Sequence, residues 1–314
     1  MKYKKLGTSD LEISVIGQGT WPMGNDFFGQ VDEDEAIQAI HASIDNGVNF
    51  IDTAPGYGAN GEAESVVGKA IRDRRDKVVL ATKCGILRIW GEYVKCLSPS
   101  TIRHEVEDSL RRLHTDWIDL YQIHWPDYNF GIEGALDTLA DLKKEGKIRE
   151  IGVSNFSLEE LQCALKRTYF ASIQTPFSLL DRSGVDNGII PFGIRSNIGI
   201  VSYGTLGGGI LTGMTKKPVT GGREQRANFY NFYSEPLWSK CRELVSVLKE
   251  IAYAKGVSVA GISIGWAIAQ PGIACSLAGS VLPKQAAENA MAGDVVLSGE
   301  ELAVIDNAYS RIMD

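Results

Sequence analysis

Val48-Asn49-Phe50-Ile51-Asp52-Thr53-Ala54-Pro55-Gly56-Tyr57-Gly58-Ala59-Asn60-Gly61 opens as a buried strand and ends as a loop. Its mostly apolar start, Val48 to Ile51, delivers a carboxylate, Asp52, at the C-terminal end of the strand. The turn that follows is rich in Pro and Gly and presents a phenol, Tyr57. A carboxylate and a phenol at the end of an apolar strand are half buried and need partners. That is a poor arrangement for packing alone and a sensible one for acid–base chemistry.

Outward from this stretch the chain alternates strand and helix. A hairpin is expected over 2–15, around the turn Gly7-Thr8-Ser9-Asp10. Strands are expected at 15–20, 48–52, 78–83, 117–123, 148–153, 172–175, 198–203 and 273–278. Helices are expected at 34–46, 62–72, 100–113, 134–145, 158–167, 185–195, 237–254, 258–269, 283–292 and 298–309. Several carry their own punctuation. Gly47 and Gly146 close helices, Ser98-Pro99 opens one, and Ser157 with Glu160 has capping-box spacing. Residues 204–233 form a long Gly-rich and aromatic loop. About eight strands, each followed by helix with no linker, are the pattern of a (β/α)8 TIM barrel. The N-terminal β-hairpin and extra C-terminal helices are additions to it. A doubly wound open sheet is the rival, but it usually needs fewer units or a second domain, and no boundary is visible. The expectation is one barrel domain over 1–314.

Composition agrees and excludes some partners. The 314 residues are 44% hydrophobic and 23% charged, with 32 basic and 39 acidic residues, a net charge of −7. An acidic chain has no electrostatic reason to bind nucleic acid or anionic lipid. No apolar run has the length of a membrane helix or signal peptide. Five scattered cysteines without C-x-x-C point to reduced thiols and a cytoplasmic setting. The four histidines lack metal-ligand spacing, so no metal site is expected.

In a barrel the strand C-termini carry the chemistry. Here they read Asp52, Lys83, His124, Ser154 with Asn155, Gln174 and Tyr203. Each alone has a bland explanation as a satisfied structural residue. Together on one barrel face they suggest a site. A phenol with a pKa of about 10 is a poor acid at neutral pH. A nearby ammonium lowers that value, and a carboxylate keeps the ammonium charged. Asp52, Lys83 and Tyr57 therefore read as a device for tuning a phenol, with His124 orienting a carbonyl oxygen. The carbon then needs a hydride, which no side chain supplies and a nicotinamide cofactor does.

The chain resembles the aldo-keto reductases over almost its full length. The resemblance is carried by Phe50 to Gly58, Thr82-Lys83, Asp119 to Asp127 (Asp-Leu-Tyr-Gln-Ile-His-Trp-Pro-Asp) and Gly146 to Phe156. It implies a catalytic tetrad of Asp52, Tyr57, Lys83 and His124, with Tyr57 as the proton donor. It implies that Ser154, Asn155 and Gln174 hold the nicotinamide amide and that Tyr203 stacks on the ring. Gly204, Thr205, Leu206 and Gly208, within Gly204–Leu211, would wrap the pyrophosphate. Ser280, Lys284, Gln285, Glu288 and Asn289, within Gly279–Asn289, would take the adenosine end. The implied activity is NAD(P)(H)-dependent reduction of an aldehyde or ketone. The alternatives are a sugar or polyol dehydrogenase running in reverse and a nucleotide-binding regulatory subunit with little turnover.

Some features cut across this pattern. Gly56-Tyr57-Gly58-Ala59-Asn60-Gly61 spells G-x-G-x-x-G, a dinucleotide fingerprint, but in the second βα unit and with a tyrosine where backbone should approach pyrophosphate. The glycines are expected to act as loop hinges around Tyr57. Ala63 stands where the family commonly has serine, and Gly204-Thr205-Leu206 where Ser-Pro-Leu is typical. Between Ser280 and Gln285 only Lys284 is basic, whereas a 2′-phosphate favours a charged fork. The cofactor is NADP(H) or NAD(H), with NADH at least a competent alternative; Lys284 or the basic loop Lys216-Lys217 can still serve a phosphate. The aromatic mouth, with Trp21, Trp90 and Trp125 assigned to substrate, suits small apolar carbonyl compounds or the flat faces of sugars.

Overall fold

The computed structural model describes residues 1–215 and 225–313. Eight parallel strands close into a barrel: Ile16–Gly19, Phe50–Asp52, Val79–Cys84, Ile118–Ile123, Ile148–Ser154, Ser172–Pro176, Gly199–Tyr203 and Ile273–Gly279. They pair in chain order, and the last closes on the first through Ser276↔Ile16 to Gly279↔Gly19. This is the (β/α)8 barrel expected from the alternation. Lys216 and Lys217, the basic loop expected to serve a phosphate, lie outside the described residues.

Two cores follow from the period-2 alternation of side chains along a strand. The inward set, including Phe50, Leu120, Val201, Cys275 and Leu277, fills the barrel. The hairpin Tyr3–Lys5 with Glu12–Ser14 stoppers its N-terminal end, burying Leu6, Leu11 and Ile13 against that set. The outward set packs against the surrounding helices. The capping box at Ser157 and Glu160 is formed, and Ser98 caps its helix by accepting from the Thr101 N–H.

Two elements differ from the sequence reading. The helix expected over 185–195 is two pieces, Ser183–Asp186 and Ile189–Arg195, broken at Gly188 with φ +75°. Nothing in the apolar periodicity announced that break. A second hairpin, Ile86–Ile89 with Glu92–Lys95, rises from the rim after the strand that carries Lys83. Trp90 and Gly91, at φ +52° and +88°, make its turn.

Behind the strand Val79–Cys84 lies a buried polar cluster. Thr82 Oγ1 donates to Glu64 Oε1 at 2.6 Å, and Arg112 bonds Glu64 Oε2 at 2.7 Å. Glu105 accepts the Gly85 N–H at 3.0 and 3.2 Å through its two oxygens. So the Glu105/Ser109/Arg112 face of the helix Pro99–Leu113 is turned inward and pins the strand from outside. Burial pushes the Glu105 carboxyl up to about 8. The unfolded chain releases this proton at ordinary carboxyl pH and the folded one holds it. Folding therefore retains more protons across that window, and stability falls as pH rises. We expect wild-type stability to decline between about pH 5 and 8, and Glu105→Gln to flatten that slope in chemical denaturation. Parallel pH profiles for the two proteins would contradict this assignment.

Candidate active site

The site is built around the ammonium of Lys83, which is fully buried. Its three protons have three acceptors: Asp52 Oδ1 at 2.6 Å, the Thr53 carbonyl at 3.0 Å and Tyr57 Oη at 3.1 Å. Asp52 and Lys83 come from adjacent strands, and the loop after Asp52 folds back to bring Tyr57 over Lys83. The glycines make that return possible. A Cβ at Gly58 would lie 2.7 Å from the Gly24 carbonyl, at φ +97°. A Cβ at Gly56 would lie 3.2 Å from Ile86. The fingerprint-like glycines thus serve close packing of loops around the phenol.

The second oxygen of Asp52 accepts from two carboxamides, Gln174 Nε2 at 2.8 Å and Gln122 Nε2 at 3.1 Å. Sequence reasoning missed Gln122. Its signal was present, since it lies two residues before His124, near the end of the strand Ile118–Ile123, and so faces inward with it. Gln174, assigned to the nicotinamide, has its amide nitrogen turned to Asp52.

His124 is half-buried and lies edge-on to Tyr57, with ring centroids 5.8 Å apart. Its Nδ1 is buried without a partner. Burial, reinforced by the Lys83 charge, holds the imidazole well below its usual pKa, so it is neutral at neutral pH. The Tyr57 phenol was expected to be lowered by Lys83. Instead burial, with the Asp52 charge adding, pushes it well above its ordinary value. The phenol is a neutral O–H whose oxygen already accepts a bond from Lys83. Its own proton is free to be given elsewhere. A neutral phenol and a neutral imidazole side by side can polarise one carbonyl oxygen and hand it a proton.

Beyond this cluster a cavity of about 1570 Å³ runs to the start of the helix Pro283–Met291. Asn155, Gln174, Tyr203, Gly204, Thr205, Leu206, Gly208, Ser280, Lys284, Gln285, Glu288 and Asn289 all line it. Ser154 is fully buried and donates to the Gln174 carbonyl at 3.1 Å. Asn155, at φ +58°, donates to the His124 carbonyl at 2.9 Å and accepts from Tyr203 Oη at 2.8 Å. Gly207, Gly208 and Gly209 all have positive φ. A Cβ at Gly208 would sit 2.6 Å from the Tyr230 ring. Thr205 Oγ1 is buried without a partner beside this run. A long cleft with a glycine cradle, an orphaned hydroxyl and a helix N-terminus fits a dinucleotide. Ser280 is less open than expected, since its hydroxyl donates to Gln18 at 2.8 Å.

The three tryptophans part company. Trp21 and Trp125 line the cavity. Trp90 is 99% exposed at the tip of the rim hairpin and does not line it. A tryptophan placed two residues beyond Arg88 looks like a mouth residue only until the intervening chain forms a hairpin. No group of acidic, histidine or cysteine side chains suited to a metal occurs among the described residues. Among the described residues no single helix is long and apolar enough to cross a membrane.

Residues 15–310 match the aldo/keto reductase family. The chain is 33% identical over 324 residues to the NADH-specific methylglyoxal reductase of Escherichia coli (strain K12), covering 97% of each protein. A glycerol dehydrogenase from Gluconobacter oxydans superimposes with a TM-score of 0.89 at 33% identity, over 99% of this chain and 95% of that one. An aldo/keto reductase from Klebsiella pneumoniae, in complex with NADP and acetate, does so with a TM-score of 0.77 at 29% identity, over 98% and 96%. A closed parallel barrel, a large cleft at its mouth and a match along nearly the whole sequence lead to one conclusion: this chain belongs to the aldo/keto reductase family and is an NAD(P)H-dependent oxidoreductase.

Proposed function

We propose that the protein reduces an aldehyde or ketone to the alcohol, with Tyr57 as proton donor, Lys83 and Asp52 positioning it, and His124 orienting the carbonyl. The whole of 1–314 acts as one domain in this reading. The observation that carries it is the triply committed Lys83 ammonium, one of whose bonds ends on the Tyr57 oxygen. The bound nicotinamide supplies the hydride. As the carbonyl carbon becomes tetrahedral, negative charge grows on its oxygen. Tyr57 passes its proton there, and the Lys83 contact offsets the charge left on the phenol oxygen. Neutral His124 donates without competing for that proton. Run in reverse, the same groups would oxidise an alcohol, as the name of the Gluconobacter relative indicates for that enzyme.

Asn155, Gln174 and Tyr203 are proposed to receive the nicotinamide, with Ser154 supporting them from beneath. Gly204, Thr205, Leu206 and Gly208 receive the pyrophosphate. Ser280, Lys284, Gln285, Glu288 and Asn289 receive the adenosine. Ser280 is occupied by Gln18, and Lys284 is an exposed point charge without an arginine fork, so a 2′-phosphate gains little at this end. The protein is therefore expected to use NADH at least as a competent alternative to NADPH. Steady-state kinetics with each cofactor checks this, and an NADPH preference above about tenfold (~1.4 kcal/mol) would sink it.

Tyr57→Phe should lower kcat by about 100-fold or more with any carbonyl substrate, the usual range for loss of a positioned acid. Near-wild-type turnover in that variant would remove Tyr57 from its role. With Tyr57 raised and His124 lowered, both groups keep their neutral forms across neutral pH. The reductive kcat/KM should be flat from about pH 6 to 9, without the limb an ordinary histidine gives near pH 6.5. A limb there that disappears in His124→Gln would contradict the neutral-imidazole assignment.

A further inference from the structure

The cavity wall beside Tyr57 and His124 includes the inner face of the rim hairpin. Its cross-strand pairs are Ile86↔Lys95 and Arg88↔Tyr93, which set these four side chains on one face. That face meets the barrel: a Cβ at Gly56, the neighbour of Tyr57, would stand 3.2 Å from Ile86 and 3.7 Å from Tyr93. The face carries two cations with different commitments. Arg88 lies over the Tyr93 ring at 4.1 Å and has a carboxylate oxygen of Asp26 at 3.9 Å. The Arg88 charge therefore already faces a carboxylate.

Lys95 is different. Its Nζ stands 4.9 Å from the ring centroid of Trp125, the residue after His124. Lys95, Ile86 and Trp125 all line the cavity. The indole holds the ammonium in place without neutralising it. Lys95 makes no carboxylate ion pair among the described residues. Of the acids lining the cavity, Asp52 is spent on Lys83, Gln122 and Gln174, and Glu288 belongs to the helix after the last barrel strand. A cation without a carboxylate partner among the described residues thus lines the same cavity as the phenol and the imidazole, in a protein of net charge −7.

We propose that Lys95, propped on Trp125, is a specificity residue that binds the carboxylate of an anionic carbonyl substrate. The preferred substrates are then aldehydes or ketones that carry a carboxylate, held so that the charged end meets Lys95 while the carbonyl meets Tyr57 and His124. This rests on the carbonyl-reductase reading of the same site.

The test compares butanal with 4-oxobutanoate, which differ by the carboxylate, using the full chain saturated with NADH or NADPH. Wild type should favour 4-oxobutanoate in kcat/KM. Lys95→Met should raise KM for 4-oxobutanoate about fivefold or more and leave butanal within about twofold, with Lys95→Arg restoring the preference. The wild-type KM for 4-oxobutanoate should also rise between about 0.05 and 0.5 M salt, because a contact at the rim is screened, while that for butanal should not. Equal effects on both aldehydes, or none on either, would overturn the proposal. If neither aldehyde is turned over, the reductase reading has failed by itself. Calorimetric binding of unreactive butanoate to the cofactor-loaded protein then decides: binding lost in Lys95→Met supports Lys95, and equal or absent binding in both proteins removes it.

Discussion

A single buried ammonium constrains the rest of the site. Removing a charge from water costs several kcal/mol unless it is paired and hydrogen-bonded in good geometry. Lys83 meets that condition with all three of its protons. Burial still lowers its pKa, and the adjoining Asp52 carboxylate works against that drop. Asp52 must then be held in turn, and the amides of Gln122 and Gln174 hold its other oxygen. One cation therefore recruits side chains from four strands that lie side by side or across the barrel. The site is rigid because satisfying Lys83 leaves few other arrangements.

The opposite face of the Lys83 strand solves the same problem for the scaffold. Side chains alternate, so Thr82 points outward where Lys83 points inward. Thr82 is bonded to Glu64, Glu64 to Arg112, and Glu105 to the Gly85 N–H at the strand's end. Displacing the strand outward would break this cluster, and displacing it inward would crowd Phe50 and Leu120. Catalytic placement and helix packing are two faces of one six-residue strand.

Much of this could be read from the sequence because it is local. Apolar runs ending in a polar residue marked the strands, and the polar ends collected Asp52, Lys83, His124, Asn155, Gln174 and Tyr203 around one cavity. Gly and Ser-Pro punctuation placed most helix ends near where they fall. What escaped depends on tertiary context. The rim hairpin has a turn through Trp90 at positive φ, which tryptophan rarely signals. Gln122 was hidden inside a family motif because its meaning comes from Asp52, 70 residues away. The direction of the Tyr57 shift escaped as well. Nearby charges could be counted from sequence, but desolvation, the larger effect here, depends on burial that only the folded loop creates.

That last reversal clarifies the chemistry. A phenol lowered far enough by an ammonium would ionise before a substrate oxygen could take its proton. A buried phenol keeps its proton until charge appears opposite it. In the proposed reaction the Lys83 contact would matter most in the transition state, when the phenol oxygen begins to carry charge. Burial likewise holds His124 below its usual pKa, so neither ring sets a positive charge against the Lys83 ammonium. In that reaction proximity to the ammonium would stabilise the product of proton transfer without discharging the acid in advance. The barrel keeps this machinery on strand ends, while the loops and the rim hairpin supply the walls that meet the remainder of the substrate. Substrate choice can change there with the Lys83 cluster left intact.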